Sequence, residues 1–186
     1  MAIMPDRGET PSLRVIKSAR LKLIAATAEL IEKDITGGDL LARALGVTVS
    51  ESWPPELYGT RAMQFALNQA NGALQQGWSF WYMVTDDDPE ELVGIGAFKG
   101  RPDASGSVEI GYSILACFQG QGFATEAVLR LVSWAFSHHN VNEVSAETFP
   151  HLTQSIAVLR KNGFELTGAG SETGVVRYAI NRKKLN

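Results

Sequence analysis

The chain has 186 residues, 45% of them hydrophobic, which suits one domain able to bury a continuous core. Its 17 Lys and Arg against 20 Asp and Glu give a formal charge of -3, with a basic run only at Arg182 to Lys184, so no electrostatic footprint for nucleic acid is present. No apolar run approaches the roughly 18 residues of a membrane span, and Met1 to Ser12 lacks the apolar stretch of a signal peptide, so the expectation is a cytoplasmic protein with no membrane partner. The single cysteine, Cys117, excludes an internal disulfide and a thiolate metal cluster; a lone cysteine is expected to be a small buried residue.

Residues 1–12 hold Pro5, Gly8 and Pro11 among polar residues and read as a flexible N-terminal segment before a first strand at Leu21 to Ala25. Ala28, Leu30, Ile31 and Ile35, then Leu40, Leu41, Ala44 and Leu45, predict two short helices joined at Gly37-Gly38. After Trp53-Pro54-Pro55, the stretch Glu56 to Gln76, with Ala62, Phe65, Ala66, Ala70 and Leu74 at helical spacing, predicts a longer helix. Trp78 to Thr85 and Leu92 to Phe98 predict a hairpin around the acidic run Asp86 to Glu91. Consecutive carboxylates at a hairpin tip are expected to be a solvated loop, and no metal is assigned.

A strand at Ser107 to Ala116, a helix at Phe123 to His138, a strand at Val144 to Phe149, a helix at Thr153 to Asn162 and two strands at Phe164 to Thr167 and Val175 to Ile180 complete the order. This predicts an α/β domain with a mixed, mostly antiparallel central sheet flanked by helices. Trp53, Trp78, Phe80, Trp81 and Tyr82 supply apolar area for the core and could also serve a homodimer surface.

The most informative segment is Gln119-Gly120-Gln121-Gly122-Phe123-Ala124-Thr125, between a strand and a helix. Gly120 and Gly122 let backbone approach a ligand, and the unpaired N–H groups of a first helical turn favour an anion, so a diphosphate would fit. Ordinary loop punctuation explains glycines before a helix equally well. A dinucleotide fingerprint, with Glu147 as the acidic residue at the end of the next strand, fails because Thr125 replaces the third glycine and three residues separate strand from turn. A Walker A loop lacks its Gly-Lys-Ser/Thr.

Gln119, Gly122 and Ala124 match Gln/Arg-x-x-Gly-x-Gly/Ala, the coenzyme A signature of the GNAT superfamily of N-acetyltransferases, which this sequence resembles. Val108-Glu109-Ile110-Gly111-Tyr112, the run Gly122 to Ala127, and Ser155 through Leu159 to Phe164 are similar to the RimJ/RimL-like branch, the ribosomal-protein N-terminal alanine and serine acetyltransferases. The resemblance spans roughly Leu13 to Ile180 and implies a GNAT-type single domain over residues 13–186. It implies acetyl-CoA as cosubstrate, with Ser113, Ile114 and Leu115 lying along the pantetheine arm and thioester, and with Gln119, Gly120, Gln121, Gly122, Phe123, Ala124 and Thr125 around the phosphates. The implied partner is an amine, either a small molecule or a protein N-terminus.

Within the strand, Val108, Ile110, Tyr112 and Ile114 alternate with Glu109, Gly111 and Ser113. Glu109 is either the polar half of an alternating strand or, as the resemblance implies, the carboxylate that accepts the amine's proton. Ser155 falls in the first turn of its helix, where a serine is a routine cap; the resemblance makes it the proton donor to the departing thiolate. The family's usual Asn three residues earlier is replaced by Leu152. Trp53, in the loop that borders the acceptor site in this branch, is expected to shape the acceptor pocket. Asn162-Gly163-Phe164 reads as a helix stop and His138-His139 as a helix end. Three readings follow: an acetyl-CoA-dependent N-acetyltransferase, a non-catalytic acyl-CoA-binding or sensing domain on the same fold, and a dinucleotide-binding oxidoreductase, which the broken fingerprint disfavours.

Overall fold

The computed structural model describes residues 13–70 and 76–184. The chain starts with a short hairpin, β1 (Val15–Lys17) and β2 (Leu21–Ala25), of which sequence periodicity anticipates only the second strand. β1 is three residues long and partly exposed, too short to carry an alternating signal. The helical pair follows as α1 (Ala28–Thr36) and α2 (Gly38–Leu45). Thr27 caps α1, its side chain accepting from the Leu30 N–H at 3.2 Å.

After the short strand β3 (Thr48–Val49), α3 spans Thr60–Ala70 rather than beginning at Glu56. Pro54 and Pro55 remove backbone donors and Leu57 takes a φ of 72°, so helical geometry starts only beyond Gly59. The expected C-terminal part of this helix, including Leu74, lies outside the described residues, as does the N-terminal segment 1–12.

The remaining elements are β4 (Phe80–Thr85), β5 (Glu91–Phe98), β6 (Ser107–Ile114), α4 (Phe123–Phe136), β7 (Glu143–Thr148), α5 (Thr153–Lys161), β8 (Glu165–Ala169) and β9 (Val176–Asn181). The strand order is β1-β2-β4-β5-β6-β7-β9-β8, with β3 paired to the start of β5. Pairing is antiparallel except between β6 and β7 and between β3 and β5.

Helices cover both faces. Leu21, Leu23 and Ala25 pack with Ala127, Val128 and Leu131 of α4, whereas Ile24 packs on the other face with Leu30, Ile31 and Leu41 of α1 and α2. Trp78, Phe80, Trp81 and Tyr82 are all buried, so this aromatic run serves the core. Trp78 packs at a tilt and Trp81 edge-on against Trp134, and His138, just past α4, packs on Trp78 and Trp134. The acidic hairpin tip meets Lys17 and Lys22 through Asp86 and Glu90.

The register of β6 creates the site. Its first residues, Ser107–Glu109, pair with Glu143–Ser145 of β7, and its last, Ile110–Ile114, pair with Gly94–Phe98 of β5. Beyond Glu109 and Ser145 the two parallel strands part, which leaves one edge of β6 without a strand partner and opens the sheet.

Candidate active site

The opening is a cleft of about 1100 Å³ that runs from the start of α4, along β6, to the segment before α3. One end of it is built by the turn after β6. Gly120 and Gly122 adopt φ of 75° and 86°, the left-handed region that side chains avoid, and α4 begins with no side-chain cap on its first N–H groups. A Cβ at Gly120 would meet nothing within 4 Å, so the turn is open to a ligand. The Gln119 amide donates to the Ile114 carbonyl at 3.0 Å and ties the turn back to β6.

A brace reaches this turn from the β1–β2 hairpin. The Arg20 guanidinium donates to Glu126 Oε2 at 2.8 Å and to the Gln121 carbonyl at 3.0 Å, and lies 4.7 Å from the centre of the Phe123 ring. Glu126 also accepts from Ser18 Oγ and from the Arg20 backbone N–H. Burial works against its charge, but these bonds outweigh it and hold the carboxyl below its ordinary range.

The helix α5 also starts on the cleft without a side-chain cap, because Leu152 occupies its N-cap position and is 41% exposed. Ser155 stands in the first turn but does not cap: its Oγ lies 3.3 Å from the Tyr112 hydroxyl, which also donates to the Ser155 carbonyl at 3.1 Å. Burial pushes the Tyr112 phenol up to about 12, the Ser155 bond pulling part of the way back.

At the opposite end, Glu109 is ion-paired with Lys99. Two residues beyond its strand partner Ser145 stands Glu147, which accepts from the Ser171 backbone and hydroxyl at 3.0 and 2.6 Å and lies 3.9 Å from Arg177. Burial again opposes its charge, and the Ser171 bonds with the nearby cations Lys99 and Arg177 hold it below the ordinary carboxylate range.

Of the residues singled out from sequence, Glu109, Ser113, Ile114, Gln119, Gly120, Gly122, Phe123, Ala124, Thr125 and Ser155 all line this one cleft. Leu115 and Gln121 do not. Leu115 is buried and its N–H donates to the Val93 carbonyl, and the Gln121 amide turns back to the Cys117 carbonyl. Trp53 lines a separate depression beside α2; its indole N–H is satisfied by the buried Asp34 at 2.7 Å. Cys117, expected to be buried, is exposed, because the single turn Ala116–Phe118 carries it over the surface. Tyr58, Tyr112, Glu147 and Lys99 line the cleft without having been singled out as site residues. Tyr112 lies inside the strand motif and could have been found there; Glu147 is marked in the sequence only as the acidic residue of the rejected dinucleotide fingerprint, and Tyr58 and Lys99 are brought in by tertiary packing, with no local signal.

A family model of the acetyltransferase (GNAT) domain matches residues 39–165. The chain belongs to the GNAT family. It is 27% identical over 160 residues to the N-acetyltransferase YjdG of Bacillus subtilis, whose function is uncharacterised, covering 85% of this chain and 94% of that one. It is 28% identical over 106 residues to the [Ribosomal protein uS5]-alanine N-acetyltransferase of Escherichia coli, spanning about half of each chain, 56% and 55%. The solved structure of RimL, the ribosomal L7/L12 α-N-protein acetyltransferase, in complex with coenzyme A matches with a TM-score of 0.62 and 20% identity over 90% of this chain and 98% of that one, a likeness of fold. As a GNAT member the chain is an acetyl-CoA-dependent N-acetyltransferase. Among the described residues no helix is long and apolar enough to cross a membrane.

Proposed function

We propose that this acetyltransferase moves the acetyl group directly from coenzyme A to a primary amine, carried by a small molecule or a protein N-terminus, in the cytoplasm. The observation that carries this reading is the parting of β6 from β7, which puts an open strand edge, two uncapped helix starts and Glu109 around a single cleft. The turn Gln119 to Thr125 takes the phosphates of the coenzyme, and the free edge at Ser113 and Ile114 takes its pantetheine arm. RimL, of the same fold, binds coenzyme A.

In this scheme the amine reaches the thioester from the face of β6 that carries Glu109. Glu109, directly or through water, takes the ammonium proton; nitrogen attacks the thioester carbon; and the carbon–sulfur bond breaks as the amide forms. Ser155 gives its hydroxyl proton to the departing sulfur and is reprotonated by the second proton that the nitrogen loses as the amide forms, while Glu109 passes its proton to water. An α-amine with a pKa near 8 needs little help from Glu109, whereas a lysine amine near 10.4 needs a true base. That Ser155 pairs with Tyr112 rather than capping α5 supports a chemical role for its hydroxyl. Trp53, bonded to Asp34 and packed in the same cluster as Tyr58, shapes the acceptor side by anchoring the segment between them.

Free-thiol release from acetyl-CoA by the purified protein tests the reading. Release that depends on added amine is expected; release equal with and without amine, across α-amines and alkylamines, would overturn it.

A further inference from the structure

The segment from Trp53 to Tyr58 is pinned at both ends. At one end Asp34 accepts from the Trp53 indole and, at 3.0 Å, from the Tyr82 hydroxyl. At the other, the Tyr58 ring is buried edge-on against Phe80, with centroids 5.2 Å apart. Between these anchors Leu57 is the one non-glycine residue with positive φ among the described residues, at 72°, yet it is 82% exposed on the cleft. A branched side chain enters the left-handed region at a cost, and Leu57 buries almost nothing within the chain in return.

Its neighbour Tyr58 is only 7% exposed, and its hydroxyl makes no hydrogen bond among the described residues. Buried hydroxyls are rarely left without a partner. Burial also raises the phenol well above its ordinary range, so the hydroxyl keeps its proton. It lies over β6 at Gly111, two residues from Glu109 on the same face: a Cβ at Gly111 would sit 3.1 Å from the Tyr58 oxygen, so the missing side chain makes this approach possible. Phe65 of α3, 56% exposed, also lines the cleft.

We propose that Leu57 and Tyr58 form the acceptor contact: the Tyr58 oxygen accepts from the N–H of the incoming amine beside Glu109, and Leu57, with Phe65, covers an apolar group that carries the amine. The inference rests on the transfer reading above and deepens it, assigning the acceptor to amines next to apolar groups rather than to polycations. The strained turn at Leu57 is thereby explained, since its side chain is held out for a ligand.

The test compares kcat/KM for phenethylamine and spermidine in the wild-type chain, Tyr58→Phe, Leu57→Gly and Leu57→Met, with calorimetric coenzyme A affinity and Tm alongside. Wild type is expected to prefer phenethylamine. Tyr58→Phe removes one oxygen that has no partner in the chain, so Tm and coenzyme affinity hold while kcat/KM falls about tenfold, the worth of one hydrogen bond. Leu57→Gly relieves the backbone, so Tm does not fall, yet KM for phenethylamine rises with kcat nearly constant, and Leu57→Met recovers it. A residue of merely structural importance would give a lower Tm and no split between KM and kcat. A wild-type preference for spermidine, or wild-type kcat/KM in both Tyr58→Phe and Leu57→Gly, overturns this inference and leaves the transfer reading standing; absence of amine-dependent release in the wild type overturns both.

Discussion

Arg20→Ala should weaken coenzyme A binding although Arg20 is no part of the glycine-rich signature. The substitution removes an exposed ion pair with Glu126, worth about 0.2–1 kcal/mol, a ring contact with Phe123 worth about 0.5–1 kcal/mol, and a hydrogen bond to the Gln121 carbonyl worth about 0.5–1.5 kcal/mol. These act on one turn and do not add fully, so about 1–2 kcal/mol of turn stabilisation is at stake, which translates into coenzyme affinity about five- to thirtyfold weaker if the turn must be ordered to bind phosphate. A second effect has the same sign: without Arg20, the Glu126 carboxylate in the first turn of α4 loses its ion-pair partner close to the turn that would take a diphosphate. Calorimetric titration of coenzyme A into wild type, Arg20→Ala, Arg20→Lys and Arg20→Ala/Glu126→Gln separates the two. The double variant should recover part of the loss, and Arg20→Lys should recover less than the wild type because an ammonium cannot bond Glu126 and Gln121 in one plane. Affinity within twofold of wild type in Arg20→Ala would refute the brace.

Asp34→Ala should leave the Trp53 indole and the buried Tyr82 hydroxyl without their acceptor and cost about 2–4 kcal/mol, read as a Tm lowered by roughly 5–15 °C. Burial raises the Asp34 carboxyl despite its two hydrogen bonds, so the native state binds its proton more tightly than the unfolded state, and its contribution to stability declines as pH rises from its ordinary value through the raised native one. Asp34→Asn should remove that slope in denaturant titrations across acidic pH; an unchanged slope would contradict the assignment. Cys117→Ala should leave amine-dependent turnover unchanged, since the exposed thiol is no step in direct transfer; a large loss of rate, with an acetylated Cys117 trapped in the wild type, would contradict it. Leu131→Ala, truncating a side chain buried between α4 and the sheet, should cost about 2–5 kcal/mol by chemical denaturation without shifting the KM for amine.

The fold was legible where periodicity is long: α4 buries Ala127, Val128, Leu131 and Ala135 at helical spacing, and β6 buries Val108, Ile110 and Ile114 on one face with Tyr112 half-buried between them. It was not legible at β1, whose three residues carry no pattern, nor at Glu56 to Gly59, where helix-compatible residues are overruled by the prolines before them and the left-handed Leu57. The glycine-rich end of the cleft was legible because its residues lie in one continuous turn, Gln119 to Thr125. The opposite end was legible only at Glu109, because Tyr58, Lys99 and Glu147 come from separate parts of the chain and are brought beside it by packing and by the pairing of β5, β6 and β7. Trp53 illustrates the difference: a tryptophan in a loop suggests a ligand contact, but the buried Asp34, nineteen residues earlier, claims its N–H.

The most direct test of the account is thiol release from acetyl-CoA with an amine acceptor, measured for wild type, Ser155→Ala and Glu109→Gln across pH, with coenzyme affinity measured in parallel. Both variants should bind coenzyme A as the wild type does while turnover falls by about 10²-fold or more, with Glu109→Gln falling further for an amine of high pKa than for an α-amine. Wild-type turnover in both variants would contradict the assignment of the β6–β7 cleft as the place where acetyl passes to the amine.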